Sequence, residues 1–209
     1  MFKLYIYPNT YTHNKTHETN KGRNTSDIQT PERKISSTKR TISKIVGEPF
    51  HGRCELDSHA DTTVAGNNCA IIKYTDQSCD VAPFSEKYTP MNDILIVSAT
   101  TGFTSANGRN YILVFHEALY MPNMRHTLIN PNQCRHFGSK IQDNPYQENC
   151  PVSIESFDGE FAACFQSIGN IMFLDTWFPI QGDLESYPHI ELTPRQHWNQ
   201  HKIEFPQTK

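Results

Sequence analysis

The sequence predicts a mostly-β domain with one short helix, preceded by a disordered N-terminal tail. From about residue 45 onward, short runs rich in Val, Ile, Tyr and Phe alternate with turn residues, which is typical of strands. One later segment carries both the start and the stop signals of a helix. Residues 9–44 contain few apolar side chains and no periodicity, so they cannot bury enough surface to offset chain entropy.

The tail is basic, whereas the rest of the chain is acidic. Residues 1–45 carry nine Lys/Arg against three Asp/Glu, a net charge of +6, and residues 46–209 carry ten against nineteen, a net charge of −9. We expect residues 1–45 to be a linker between polyprotein modules, with weak contact to nucleic acid as the alternative. No run approaches the length of a membrane span and the start lacks a signal-peptide core, so we expect a cytoplasmic chain without membrane contact.

Seven runs have the composition of strands, and two of them are separated by a strong hairpin signal. Asn107-Gly108 favours a tight turn, so the run at 94–101 is expected to pair with residues 111–117. The predicted strands are residues 53–57, 70–74, 94–101, 111–120, 151–156, 160–166 and 170–178.

The predicted helix covers two turns, Pro131–Phe137. Asn130 can cap its first turn, Pro131 suits the first helical position, and Gly138 can end it in a left-handed conformation. The six cysteines include no C-x-x-C pair, so we expect reduced thiols that mostly fill the core.

The segment 54–64 carries the chemistry, because an apolar strand there delivers Asp57 and then Ser58, His59, Ala60, Asp61 and Thr62. This order resembles the active-site loop of retropepsin-type aspartic proteases, which reads Asp-Thr/Ser-Gly-Ala-Asp-Thr. Residues 118–122 and 126–133 resemble the segment that closes the protease fold in copia-type retrotransposons. Residues 187–198 resemble the stretch that joins protease to integrase in copia-like elements.

The resemblance implies a retropepsin-like closed barrel, the acid-protease fold, over residues 46–180, including a β extension. Residues 181–209 would then be a linker toward an integrase that this sequence does not contain. The chain is expected to be a fragment of a Pol polyprotein or a decayed copy of one.

The resemblance also implies the role of each loop residue. Asp57 would be the catalytic carboxylate, and Ser58 the hydroxyl that bonds across a dimer. Ala60 matches a backbone position lining the substrate channel, and Asp61 a residue that contacts substrate or braces the loop. Thr62 completes the motif. His59 departs from the family pattern, which has Gly at a tight turn close to the reacting groups.

An aspartic protease needs two carboxylates about 3 Å apart, sharing one proton, so that one acts as general base while the other polarises the scissile carbonyl. Only one good motif is present, so two protomers must each contribute Asp57. The hairpin containing Gly102, Phe103, Asn107 and Gly108 is the expected flap over the peptide.

We therefore expect a homodimeric aspartic endopeptidase that cuts its own Gag-Pol polyprotein, in the cytoplasm and within virus-like particles, with no cofactor and no metal. The alternative is a catalytically inactive relic or binding domain that keeps the fold. Two weaker candidates are set aside: Asp175, because Trp177 follows where Gly is needed, and the pair His197 and His201, because no further metal ligands follow.

Overall fold

Strands dominate the part of the chain that the structure describes, which comprises residues 4–7, 51–83 and 87–203 of a computed structural model. The strands are β1 Leu4–Tyr7, β2 His51–Leu56, β3 Val64–Ala65, β4 Ala70–Pro83, β5 Met91–Thr104, β6 Asn110–Tyr120, β7 Thr127–Ile129, β8 Lys140–Gln142, β9 Ser153–Glu155, β10 Ala162–Cys164, β11 Gln166–Ile168, β12 Ile171–Trp177 and β13 His189–Glu191. The helices are α1 Pro131–Phe137, α2 Gln181–Ser186 and a 3-10 turn at Gln200–Lys202.

The mostly-β prediction is confirmed, whereas the predicted disordered tail lies outside the described residues except for β1. That strand pairs antiparallel with the outer edge of β4. Among the described residues, no helix is long and apolar enough to cross a membrane.

One large sheet holds ten of the strands. Along it the order is β1-β4-β5-β12-β2-β7-β3-β6-β13, and β11 pairs with β12. Strand β5 also pairs with β6. Because of this additional ladder, the pairings run from β5 through β12, β2, β7, β3 and β6 and return to β5.

The main core cluster draws on the large sheet and on a second, three-stranded sheet of β8, β9 and β10. Leu113, Phe115, Ile129 and Leu174 from the large sheet are fully buried in one cluster. The small sheet adds Ile154, and nearby Phe161 packs edge-on against Phe103 and Tyr111 at ring distances of 5.7 and 5.2 Å. Four of the six free cysteines are buried here or close by (Cys54, Cys69, Cys79 and Cys134), which confirms the expectation that most thiols fill the core.

Helix α1 has the predicted bounds and both predicted caps. The Asn130 side chain accepts a hydrogen bond from the Gln133 amide at 2.8 Å, and Gly138 adopts φ = 104°. The predicted β5–β6 hairpin is also present, with Gly108 at φ = 80° in its turn.

The predicted strands at 70–74 and 94–101 are shorter than the observed β4 and β5, and several short elements were not predicted. Strand β4 extends to Pro83 and β5 starts at Met91, with β-bulges along the ladder that break the alternation of the sequence. Strands β3, β7, β8 and β13 were not predicted, because each has only two or three residues.

Residues 181–203, expected to be part of a linker, contribute α2, β13 and the 3-10 turn. Strand β13 runs parallel to β6, with Ile190 opposite Leu113. Ile190 and Leu192 are buried in the main core cluster. This packing makes the segment part of the large sheet.

We predict that Leu192→Ala lowers the free energy of unfolding by about 3 kcal/mol, because it leaves a cavity at a buried core position. Urea denaturation measures the change. Ile180→Ala, at a side chain that is 67% exposed, is the control and should change the free energy by less than about 0.5 kcal/mol. Equal effects of the two substitutions would contradict the packing of this segment on the sheet.

Candidate active-site loop

Asp57 lies at the end of two parallel strands. Strand β2 pairs with β7, placing Leu56 opposite Ile129, and the Asp57 amide continues the ladder by donating to the Ile129 carbonyl at 2.9 Å. The Asp57 side chain is 25% exposed. The strand pair therefore fixes the backbone of Asp57 and leaves its carboxylate in contact with solvent.

His59 is the partner of the Asp57 carboxylate among the described residues. The His59 amide donates to Asp57 Oδ1 at 2.9 Å, and its ring Nδ1 lies 3.8 Å from the same oxygen. His59 is not among the non-glycine residues with positive φ. A histidine therefore fits this turn without left-handed backbone strain, and when protonated it places a positive charge beside the carboxylate.

Asn130 ties the loop to the start of α1. Its side-chain amide donates a short hydrogen bond to the Ala60 carbonyl, and its backbone amide bonds the Thr63 hydroxyl at 3.2 Å. The same side chain caps α1. One buried asparagine thus ends the strand, starts the helix and holds the middle of the loop.

Gln133, one turn into α1, holds the end of the loop and is fully buried. Its Oε1 accepts from the Thr63 amide at 2.9 Å and from the Thr62 hydroxyl at 3.3 Å. Its Nε2 lies 3.3 Å from the Glu117 carbonyl of β6. The sequence analysis missed Gln133, because a glutamine inside a short helix gives no signal of burial.

A β-bulge in β6 places His116 and Glu117 opposite Ser98. The ladder shifts between the pairs Val97–Ala118 and Ala99–Phe115, and Glu117 adopts φ = 52°. This bulge turns the Glu117 carbonyl toward Gln133 and also toward the Thr62 hydroxyl, which donates to it at 3.1 Å.

His116 is buried on the other side of the bulge. Its Nδ1 lies 2.8 Å from the Ser98 hydroxyl, and its Nε2 lies 3.7 Å from Glu191, beyond hydrogen-bond distance. Burial lowers the pKa of His116, and Glu191 opposes this effect only in part. The ring is therefore mostly neutral near neutral pH.

Two cavities meet beside the end of the loop. One, of about 330 Å³, is lined by Thr62, Ile96, Glu117 and Trp198, among others. The other, of about 450 Å³, is lined by residues that include Ser98, His116 and Arg195. Glu117 borders both cavities.

The predicted flap residues Gly102, Phe103, Asn107 and Gly108 belong to the β5–β6 hairpin, whose register can be followed through β12 to β2. Gly102 pairs with Trp177, and Trp177 pairs with His51 at the start of β2. Six residues of strand, about 20 Å, separate His51 from Asp57. The hairpin forms as the turn chemistry predicted, but strand register carries it to the opposite end of the sheet.

The level of Asp57 can be followed across the sheet from its neighbour Glu55 in β2. The successive partners are Leu128 in β7, Val64 in β3, Leu119 in β6 and Ile96 in β5. The beginning of β5, not its end, is therefore level with the Asp57 loop.

The weaker candidates Asp175 and His197 each lie beside one other ionisable side chain. Asp175 pairs with Arg53, four residues before Asp57, and their side chains form a 3.5 Å ion pair on the sheet surface. His197 lies 3.4 Å from the Glu117 carboxylate. Within the described ranges, no group of three or more His, Cys, Asp or Glu side chains could hold a metal ion.

The burial of Cys54 raises its pKa, and burial raises the pKa of Cys69 to about 12. Both thiols therefore stay protonated near neutral pH.

No family model matches this chain, and neither a curated protein nor a solved structure matches it.

Replacing Gln133 tests whether its amide supports the loop. We expect Gln133→Ala to lower the free energy of unfolding by about 2 kcal/mol, because the Thr63 amide would lose its buried acceptor. Gln166→Ala, at an exposed glutamine with a surface hydrogen bond to Asp175, is the matched control and should be nearly neutral. If the two variants unfold at the same urea concentration, the hydrogen bonds of Gln133 do not stabilise the loop.

The lowered pKa of His116 predicts that acid weakens the fold. Below about pH 6.5 the unfolded chain binds a proton that the folded His116 does not, so the free energy of unfolding falls as the pH drops. His116→Asn, which retains a polar group toward Ser98, should lose less stability between about pH 7.5 and pH 5 than the parent chain does. An equal loss in both proteins would show that His116 does not contribute to the acid sensitivity.

Proposed function

We propose that the chain is an aspartic endopeptidase of a copia-type retrotransposon Pol polyprotein, active as a homodimer with one Asp57 from each chain. The observation that carries the proposal is the exposed Asp57 carboxylate on a loop held from below by buried amides of Asn130 and Gln133. The motif from Asp57 to Thr62 and the segment 126–133, which resemble the family separately, meet in one site.

The fold proposed for this function is a retropepsin-like closed barrel. Its support is the circuit of pairings that returns from β6 to β5, together with the parallel pairing of β2 and β7. The Asp57 strand and the strand that leads into α1 lie side by side, so the catalytic loop and the helix N-terminus share one edge of the sheet.

The chemistry follows from pairing two Asp57 carboxylates. Like charges about 3 Å apart cannot both ionise, so the pair retains one proton over a wide pH range. The ionised carboxylate takes a proton from a bound water molecule, which attacks the peptide carbonyl, while the protonated partner donates a hydrogen bond to the carbonyl oxygen. The protonation steps of such a site belong to the two carboxylates together and not to either one alone.

His59 does not bury the Asp57 carboxylate. Its ring is about half exposed, and the Asp57 side chain is 25% exposed.

The proposed substrate is the polypeptide of the element itself, cut in the cytoplasm within virus-like particles. The catalytically inactive relic is the alternative, and His59 is the residue that favours it because it departs from the family pattern.

Asp57→Asn is the decisive substitution. We expect it to abolish cleavage of a mixed peptide library by the full chain between about pH 4 and pH 7, because the dyad can no longer supply an ionised base. Cleavage by the parent chain should rise with the square of protein concentration at low concentration and should be inhibited by a pepstatin-type compound, which mimics the tetrahedral intermediate.

The matched control is Asp175→Asn, because Asp175 is also followed by Thr but lies on the sheet surface. It should cleave as the parent does. Cleavage that survives in Asp57→Asn would refute the assignment, and a folded parent dimer that cleaves nothing would establish the relic.

A further inference from the structure

The segment 189–201, here called the C-terminal strap, is bonded to β6 over its first five residues. Strand β13 pairs with residues 112–114 of β6, and the Leu192 amide donates to the Val114 carbonyl at 2.9 Å. The Thr193 hydroxyl accepts from the His116 amide at 2.7 Å and donates to the His116 carbonyl at 2.8 Å. The strap therefore follows β6 to its bulge.

Beyond the bulge, Trp198 reaches the active-site loop. Its indole Nε1 donates to the Asp61 carbonyl at 2.9 Å, and its ring packs edge-on against His136 of α1 at 5.5 Å. Trp198 is only 7% exposed. A buried indole N–H needs an acceptor, and here the acceptor belongs to the loop that carries Asp57.

Glu117 joins the strap to the same loop from the other side. Its carboxylate accepts from the Trp198 amide at 3.4 Å and lies 3.4 Å from His197 Nδ1. Its carbonyl accepts from Thr62 and from Gln133. The strap, the loop and α1 therefore meet at one strained residue in the β6 bulge.

We propose that Trp198 is a positioning residue for the Asp57 loop and that the catalytic unit of this chain extends through the strap to at least residue 198. This inference rests on the proposed function. A dyad shared between two chains requires both loops in one geometry, and a misplacement of about 1 Å can cost about 100-fold in rate. Trp198 fixes the Asp61 end of that loop.

The inference also limits where the protease can cut its own polyprotein. Hydrolysis of any bond between residues 193 and 198 would break the covalent link between Trp198 and β13. The cut that releases this domain must therefore lie after residue 198.

The test compares the two tryptophans of the full chain. Trp198→Phe keeps an aromatic ring and removes the N–H that reaches Asp61. Trp177→Phe is the matched control, because its indole N–H donates to Thr104 at the opposite end of the sheet. We expect Trp198→Phe to lower kcat on a cleaved peptide about tenfold with KM nearly unchanged, and Trp177→Phe to leave both within about twofold.

Two further readouts separate positioning from loss of folding. Hydrogen exchange should become faster at residues 57–63 in Trp198→Phe and stay unchanged there in Trp177→Phe, at a temperature where both remain folded dimers. In the Trp177→Phe background, Trp198 can be replaced by benzothienylalanine, which keeps the indole shape without the N–H. The kcat loss should persist with this analogue.

The outcomes are distinguishable. If the parent cleaves and Trp198→Phe matches Trp177→Phe in kcat and in exchange at the loop, the positioning role is overturned while the proposed function stands. A self-cleavage site between residues 193 and 198 in an active product, mapped by mass spectrometry, also overturns it. Absence of cleavage by the parent chain overturns the proposed function and this inference together.

Discussion

A loop that is drawn into the edge of a sheet loses the water that would otherwise bond its backbone groups, and in this chain the side chains of α1 replace that water. Gln133 bonds the Thr63 amide, and Asn130 bonds the Ala60 carbonyl. Each buried amide or carbonyl left without a partner would cost about 1–3 kcal/mol. The position of the loop is therefore determined by the cap and first turn of α1, seventy positions away in sequence, and it persists only while β7 holds the helix beside β2.

The same demand for partners explains the bulge in β6. In a regular strand the carbonyls of residues 116 and 117 would point to opposite edges, whereas here Gln133 Nε2 lies 3.4 Å from the first and 3.3 Å from the second. The left-handed conformation of Glu117 costs conformational energy. In return, its carbonyl accepts from Thr62 and Gln133, and its carboxylate faces Trp198 and His197. A locally strained residue is retained because three elements depend on it.

Features with local causes could be predicted from the sequence. Helix α1 follows from Asn130, Pro131 and Gly138, and the β5–β6 turn follows from Asn107-Gly108. Features set by register could not be predicted. Nothing local to Gly102 shows that it will lie beside Trp177 and not near Asp57, because that neighbour is chosen by pairing between distant strands.

The burial of certain polar residues could not be predicted from the sequence either. Gln133 and Thr193 are buried by tertiary hydrogen bonds that leave no periodic trace. The expectation of a linker over residues 181–209 rests on the resemblance of residues 187–198 to a protease–integrase junction, and a strand of three residues such as β13 gives no sequence pattern of its own.

The polar groups of the loop fall into two sets: those that bond to other elements of the same chain, and those at the tip that face solvent. From Ala60 to Thr63, backbone groups of the loop find partners on Asn130, Gln133 and Trp198. At the tip, the side chains of Asp57, Ser58 and His59 bond chiefly to one another and face solvent. Under the proposed function, a site shared by two chains requires this combination of a bonded loop base and an accessible loop tip. The base of the loop must be rigid before the chains meet, because ordering it at that moment would oppose association. The tip must remain accessible, because the second carboxylate comes from the partner.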